Sequence, residues 1–371
     1  MKIPQSSKLC SFILVATLLS GLGFGTHAFA RSYLIDLDSR TATPLGDGDD
    51  GWATAINDAG QVVGSFSTTW GFYHAFITGP DGSGMRDLGT LGAGFSGALD
   101  INNAGQVVGD AQITNGTYHA FITGPNGSGM RDLGTLGGDS SWAGDINNAG
   151  QVVGQFYTTS DRGFHTPNAF ITGPNGSGMR DLGTLGGNSS WAGDINDAGQ
   201  VVGYSSTTDG SSHAFITGPD GVGMRDLGTL GGDSSWAEDI NDAGQVVGYS
   251  STTDGSSHAF ITGPDGSGMR DLGRLGARAI NDAGQVVGFS FYSAGEGYTQ
   301  AIIIGPDGEM INLNSLVDLP LGVILTEAVD INNVGQVIAV AVPEPEIYAM
   351  LLAGLGLVGF MTRRTRMYSA P

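Results

Sequence analysis

One short element recurs through the chain and sets what it can fold into. Ile-Asn-x-x-Gly-Gln-Val occurs seven times, beginning at Ile56, Ile101, Ile146, Ile195, Ile240, Ile280 and Ile331. Successive copies stand 45, 45, 49, 45, 40 and 51 residues apart. Spacing this regular marks an array of near-identical modules, each too small to bury its own apolar face, which must therefore lean on one another.

A single period, read from Met224, runs MRDLGTLGGDSSWAEDINDAGQVVGYSSTTDGSSHAFITGPDGSG. It holds four strand-like pieces: Met224 to Leu230, Ser235 to Ile240, Gln245 to Thr252 and His258 to Thr262. Each is short, carries β-branched or aromatic residues, and is bounded by Gly, Asp, Asn or Ser. Asn241-Asp242-Ala243-Gly244 suits a tight hairpin, because Asn and Asp bond their own backbone and Gly244 accepts positive φ. Gly218-Pro219-Asp220-Gly221 is a second turn and Gly231-Gly232-Asp233 a third, looser one. Glycine makes up 64 of 371 residues, which favours turns over long helices. No stretch between 31 and 342 has helical periodicity with caps.

Four antiparallel strands per period predict an all-β fold: a β-propeller of about seven four-stranded blades, with six as the alternative count. Tyr33 to Leu37 resembles the first strand, and the last period stops after Gln336 to Val340. Counting pieces gives 27 strands and one three-stranded blade. A β-solenoid is the competing architecture, but it needs polar end caps and none is visible.

The ends differ from the body. Lys2 and Lys8 precede an apolar run, Ser11 to Gly25, and Ala28-Phe29-Ala30 supplies the small-x-small pattern of a cleavage site. Residues 1–30 read as a secretory signal peptide cut by signal peptidase, with Ala28 and Ala30 at the site. At the other end, Pro343-Glu344-Pro345 leads into the apolar segment Ile347 to Met361, followed by Arg363, Arg364 and Arg366. Fifteen helical residues cover about 22 Å, short of a hydrocarbon core of roughly 30 Å. The arginines would stay on the cytoplasmic side. The expected division is a signal peptide at 1–30, a repeat body at 31–342 and a tail with a transmembrane helix at 343–371, held transiently in the inner membrane.

This tail closely resembles the PEP-CTERM sorting signal of Gram-negative bacteria. Pro343-Glu344-Pro345, the Leu/Gly-rich segment LLAGLGLVGF and the Arg363-Arg364 cluster match in order. The resemblance implies processing by an exosortase, with the Pro-Glu-Pro triplet as recognition element, and a link to exopolysaccharide and biofilm. The body resembles the HAF family of extracellular repeats. Its triplet stands at His74-Ala75-Phe76, His119-Ala120-Phe121, His213-Ala214-Phe215 and His258-Ala259-Phe260, and degrades at Asn168-Ala169-Phe170 and Gln300-Ala301-Ile302. That likeness implies a secreted repeat protein and no particular chemistry.

The net charge is −21. The ends contribute +2 and +1, so the body holds −24 and contains no lysine. Such a body repels phosphate backbones and excludes nucleic acid as a partner. Cys10, the single cysteine, lies in the expected signal peptide, so disulfides, cysteine-based metal sites and a thiol nucleophile are excluded from the body.

No catalytic motif is present, and no cofactor or metal is expected. His74, His119, His213 and His258 share one repeat position, whereas catalysis needs a unique environment. His165 lies in an inserted loop, Ser160 to Pro167. Trp142, Trp191 and Trp236 recur in Ser-Ser-Trp-Ala and read as packing between blades, while Trp70 breaks the pattern and is a sugar-contact candidate. Arg86-Asp87, Arg131-Asp132, Arg180-Asp181, Arg225-Asp226 and Arg270-Asp271 point to opposite strand faces and suit links between strands or blades. Asp100, Asp145, Asp194 and Asp239 are placed to bond backbone at the Ile-Asn turn. Asp47-Gly48-Asp49-Asp50-Gly51 is a dense acidic loop without EF-hand spacing, read as solvated. The functional expectation is an exported, non-enzymatic surface or matrix protein. A carbohydrate-binding propeller and a polysaccharide lyase or hydrolase on that scaffold are the alternatives.

Overall fold

The computed structural model describes residues 31–46, 51–159, 165–291 and 299–343. The expected cleavage-site residues Ala28 and Ala30, the acidic loop at 47–50, most of the insertion at 160–167, and Glu344, Pro345, Arg363 and Arg364 lie outside them. Among the described residues, no helix is long and apolar enough to cross a membrane.

The described residues form 28 strands and short 3-10 turns. Strands consecutive in the chain pair antiparallel into four-stranded units spanning 51–87, 92–134, 140–181, 186–228, 231–273 and 275–312. A further unit is assembled from both ends of the body: its strand order runs 323–331, 336–343, 31–36, 41–44. These are called the first to seventh units below. The fourth and fifth join into one eight-stranded sheet through a single parallel pair, Ser212 with Ser234.

Three details differ from the sequence reading. Met224 to Leu230 was assigned to open its period, yet the strand Val222–Gly228 pairs with Ser212–Gly218 as the outermost strand of the preceding unit. Gly231-Gly232-Asp233 begins the innermost strand, Gly231–Ile240, and is not a connection. The expected three-stranded blade is absent from the described residues. Arg31–Asp36 pairs with Gln336–Pro343, and Thr41–Pro44 then adds a fourth strand beyond it. The N-terminal piece therefore supplies two strands, not one.

The Ile-Asn-x-x-Gly hairpin explains its own repetition. In the first unit Asn57 Oδ1 accepts from Ala59 N and Gln61 N, and Gly60 closes the turn at φ 74°. Asn57 Nδ2 donates both to Gln61 Oε1 and to the carbonyl of Asn102 in the next unit. Aspartate could not make those two donations, so a buried Asn is required. The inter-unit bond repeats from Asn102 to Asn147, Asn196, Asn241, Asn281 and Asn332. Asn332 Nδ2 then returns to the carbonyl of Asn57 at 2.9 Å. The ring is closed, which rules out the open solenoid.

An apolar core sits in each gap between neighbouring units. Between the fourth and fifth, Val202, Ala214 and Ile216 meet Ala237, Ile240, Val246 and Phe260. The Ala-Phe of the His-Ala-Phe triplet divides this work: Ala214 faces the following unit, while Phe215 packs back into the gap before it. Phe121, Phe170, Phe215 and Phe260 are 0% exposed, each burial stabilising by roughly 2–3 kcal/mol. Second strands approach the innermost ones closely. A Cβ on Gly203 would stand 2.0 Å from the Trp191 carbonyl oxygen, which is why Gly follows Val-Val.

Candidate functional site

The repeated polar residues tie strands and units. His74, His119, His213 and His258 meet Asp87, Asp132, Asp226 and Asp271 through Nδ1 at 2.7–2.9 Å. Each pair spans the two outer strands of one unit. Where the triplet degrades to Gln300, the same tie is an amide pair, with Asn312 Nδ2 donating to Gln300 Oε1 at 2.7 Å. The arginines beside those aspartates reach the next unit instead: Arg131 Nη2 donates to Asn175 O at 2.6 Å and Arg225 Nη2 to Asp265 O at 2.5 Å. Opposite pointing along the strand thus produces one tie within a unit and one between units, as expected from the alternation.

The innermost strands surround a central channel, where the Ile-Asn turns place stacked polar rings. The outermost ring links backbone amides to side chains: Asp58 N donates to Asn103 Oδ1, and the pattern runs round to Asn333 N on Asp58 Oδ1. Beyond the Asn ring stand Asp100, Asp145, Asp194, Asp239 and Asp330, with Ala55 and Ala279 at the same position in the other two units. Each carboxylate clamps two units. Asp145 Oδ1 accepts from Ile146 N at 2.7 Å, and its Oδ2 accepts from Ile195 N at 2.8 Å. Sequence reading placed these aspartates on backbone amides but not across the unit boundary.

Burial raises Asp100, Asp194, Asp239 and Asp330. Desolvation, then the charge of Asp145, pushes Asp100 and Asp194 well above the usual carboxylate range. Asp330, desolvated in the channel, is pushed up to about 7. With both oxygens of Asp145 and of Asp330 accepting amides, the ring acts as a clasp. Among the described residues no group of three or more His, Cys, Asp or Glu is placed to hold a metal ion.

At the position just before the Asp ring the repeat breaks. Where the third and fourth units carry Gly144 and Gly193, the fifth carries Glu238 and the sixth Arg278. Arg278 Nε donates to Glu327 Oε1 at 2.6 Å, and Arg278 Nη1 lies 3.9 Å from Glu238 Oε2. Its guanidinium stands 5.3 Å from the Phe289 ring centroid. Burial raises Glu238, which also bonds Tyr249. Asp110, on the second strand of the second unit, is raised to about 6 by burial.

Aromatic rings extend from this cluster. Trp191 stacks on Tyr204 at 6.1 Å and 11°, Tyr204 meets Trp236 of the next unit at 6.5 Å, and Trp236 meets Tyr249 at 6.3 Å. Trp142 packs edge-on against Tyr157 at 4.7 Å. These tryptophans are partly buried, whereas Trp52 is 49% and Trp70 85% exposed. Trp70 stands in the turn after Val62–Ser67. The sequence reading missed Arg278, Glu238, Glu327 and Tyr249. The signal for Arg278, Glu238 and Glu327 was the departure of single residues from the repeat column, visible once innermost strands are aligned on Ile-Asn, whereas Tyr249 repeats Tyr204.

Residues 341–366 match the PEP-CTERM protein-sorting motif. The motif indicates an exported, envelope-sorted protein and implies processing by an exosortase. No curated protein matches the sequence. Among solved structures, the chain is similar to the β-propeller domain of the Trilobed protease from Pyrococcus furiosus, at 12% identity over 79% of this chain and 90% of that one, TM-score 0.52. It is also similar to oligogalacturonate lyase from Vibrio parahaemolyticus, at 11% identity over 85% of this chain and 97% of that one, TM-score 0.52. Identity this low carries a likeness of fold alone, all-β and propeller-like.

Proposed function

We propose that this chain is a non-enzymatic surface or matrix protein of the bacterial envelope, built as a seven-bladed propeller of HAF-type repeats and released through its C-terminal tail. The observation carrying the reading is the sorting motif at 341–366, which begins where the last strand of the closed ring ends. In this account signal peptidase cuts after Ala30. The tail then resides briefly in the inner membrane with Arg363 and Arg364 on the cytoplasmic side. The exosortase reads Pro343, Glu344 and Pro345 and frees the body to associate with exopolysaccharide. The body's charge of −24 makes neutral sugars or bridging cations better partners than phosphate polymers. Replacing Pro343-Glu344-Pro345 with alanines should leave the tail attached, read as a higher intact mass of the protein recovered from its host. An unchanged mature mass would sink the sorting role.

A second reading, carbohydrate binding by the propeller, is favoured by the non-repeated Arg278, Glu238 and Glu327, with Tyr249 bonded to Glu238 and Trp236 packed on Tyr249. Flat aromatic faces beside convergent charged hydrogen-bonding groups are what sugar rings bind. Glycan-array binding that survives both Trp236→Ala and Arg278→Ala would remove this reading.

A further inference from the structure

Five units carry a Pro-Asx-Gly turn between their two outer strands: Pro80–Gly82, Pro125–Gly127, Pro174–Gly176, Pro219–Gly221 and Pro264–Gly266. The Asx residue sits in the left-handed region, as at Asn175 with φ 54° and Asp220 with φ 53°, a conformation Asn and Asp tolerate best. The turn plugs the gap to the preceding unit. The Asx carbonyl accepts the preceding unit's arginine, as in Arg131 to Asn175 and Arg225 to Asp265. The Asx side chain accepts the preceding unit's glutamine, as in Gln151 Nε2 to Asp220 Oδ1 at 3.2 Å. The Gly amide donates to the hairpin glycine of its own unit, as in Gly221 N to Gly199 O at 2.9 Å. The Gly itself lies so close that a Cβ on Gly176 would stand 2.7 Å from Leu133 and 3.2 Å from Ile122 of the preceding unit.

The sixth unit lacks the plug. Its chain turns early, with Gly305 N bonded to Glu309 O and Gly308 N to Gly305 O. The partners on the plug's side are left free among the described residues: the Arg270 guanidinium, Gln245 Nε2 and the Gly284 carbonyl have no hydrogen bond, while Gln245 Oε1 accepts only from Asn241 Nδ2 of its own hairpin. Ile261 is 7% exposed, against 2% for Ile122, Ile171 and Ile216 at the same position in filled gaps. A cavity of about 370 Å³ stands there, lined by Gln245, Ile261, Arg270, Leu272, Gly284 and Pro306 among others.

We propose that this cavity between the fifth and sixth units is a binding site for a Gly-Pro-Asx-Gly peptide turn presented by another polypeptide. The chain shows the fit itself, since the same wall holds such a turn in cis at each preceding gap. A second copy of the chain is a poor donor, because its five Pro-Asx-Gly plugs are already held and its Gly305-Pro306-Asp307-Gly308 is closed on itself by Gly305 N to Glu309 O and Gly308 N to Gly305 O. The bound turn would give its Asx carbonyl to Arg270, its Asx side-chain oxygen to Gln245 and its Gly amide to the Gly284 carbonyl. Its Pro and Gly would lie on Ile261 and Leu272.

The probe is the peptide Gly-Pro-Asp-Gly-Ser-Gly, titrated into the isotope-labelled full chain and followed by amide and side-chain NMR shifts. Saturable shifts confined to Gln245, Arg270 and Gly284 are expected, with binding weakened about tenfold by Arg270→Ala and unchanged by Arg225→Ala, whose gap is already filled. A variant in which the sequence Gly-Pro-Asp-Gly-Ser-Gly replaces Gly305-Pro306-Asp307-Gly308 should fold and no longer bind the peptide. The proposal is overturned if the peptide fails to bind or if a scrambled peptide binds equally. It is also overturned if Arg270→Ala has no effect, or if N-acetylglucosamine fills the cavity while the peptide does not.

Discussion

Replacing Asp330 with alanine should produce a loss of stability whose size depends on pH. The side chain can be shortened without steric objection, because Ala55 and Ala279 occupy the same ring position in neighbouring units. The carboxylate, however, serves two amides: Oδ1 accepts from Ile331 N at 2.7 Å and Oδ2 from Ile56 N at 2.8 Å. Since Ala279 and Ala55 flank it in the ring, neither amide has another carboxylate to turn to. Orphaning them costs about 1–3 kcal/mol each, so about 2–6 kcal/mol together. Ionisation works the other way. Desolvation lifts Asp330 to about 7 from 3.8, so the folded protein holds this proton more tightly than the unfolded chain does. The stabilisation tied to that proton is fully present below about pH 4 and is lost as pH rises through about 7. The loss is about (7 − 3.8) × 1.4, or roughly 4 kcal/mol. That figure is a ceiling, because the carboxyl keeps an edge toward the channel and water screens it. Asp330→Ala should therefore cost several kcal/mol near pH 4 and about 3–4 kcal/mol less near pH 8. Urea unfolding followed by tryptophan fluorescence at the two pH values measures both. An equal cost at both would refute the buried, proton-holding ring.

The same geometry predicts a different outcome at Asp194. Its removal leaves Ile195 N on Asp145 Oδ2 and Ile240 N on Asp239 Oδ1, so no amide is orphaned. Asp194→Ala should raise the melting temperature near pH 8, where burial and the charges of Asp145 and Asp239 oppose the ionised form; a lower one would contradict the burial and mutual repulsion of these acids and show that the clasp outweighs them. Phe215→Ala empties a fully buried site between the third and fourth units and should cost about 3–5 kcal/mol, measured by chemical denaturation.

Much of this architecture is legible in the sequence because the repeat states the same local chemistry again and again. Asn at the hairpin, Gly three residues on and alternating apolar residues fix each turn and strand. Pairing between neighbours is harder to read. Nothing in the alternation of Met224 to Leu230 says whether the strand joins the unit before it or the one after. The hydrogen bonds decide, and they place it before. Thr41–Pro44 went unrecognised because it is short and carries a proline, which is tolerable only at its edge position. The Asp ring was half legible: an acid before Ile-Asn suggests an amide partner, but its second partner lies about one repeat away and appears only when the ring closes. Arg278 was hidden by attention to what repeats, since it matters for not repeating.

The closed ring is tested most directly at the two turns that meet across its seam. Ala59 and Val334 are exposed on adjacent hairpins, linked by Asn333 N on Asp58 Oδ1 at 2.9 Å although 275 residues apart. With cysteines at Ala59 and Val334, a short bifunctional maleimide should give an intramolecular link in the native monomer that urea abolishes. Native monomer in which both cysteines are modified singly and never joined would contradict the closed ring.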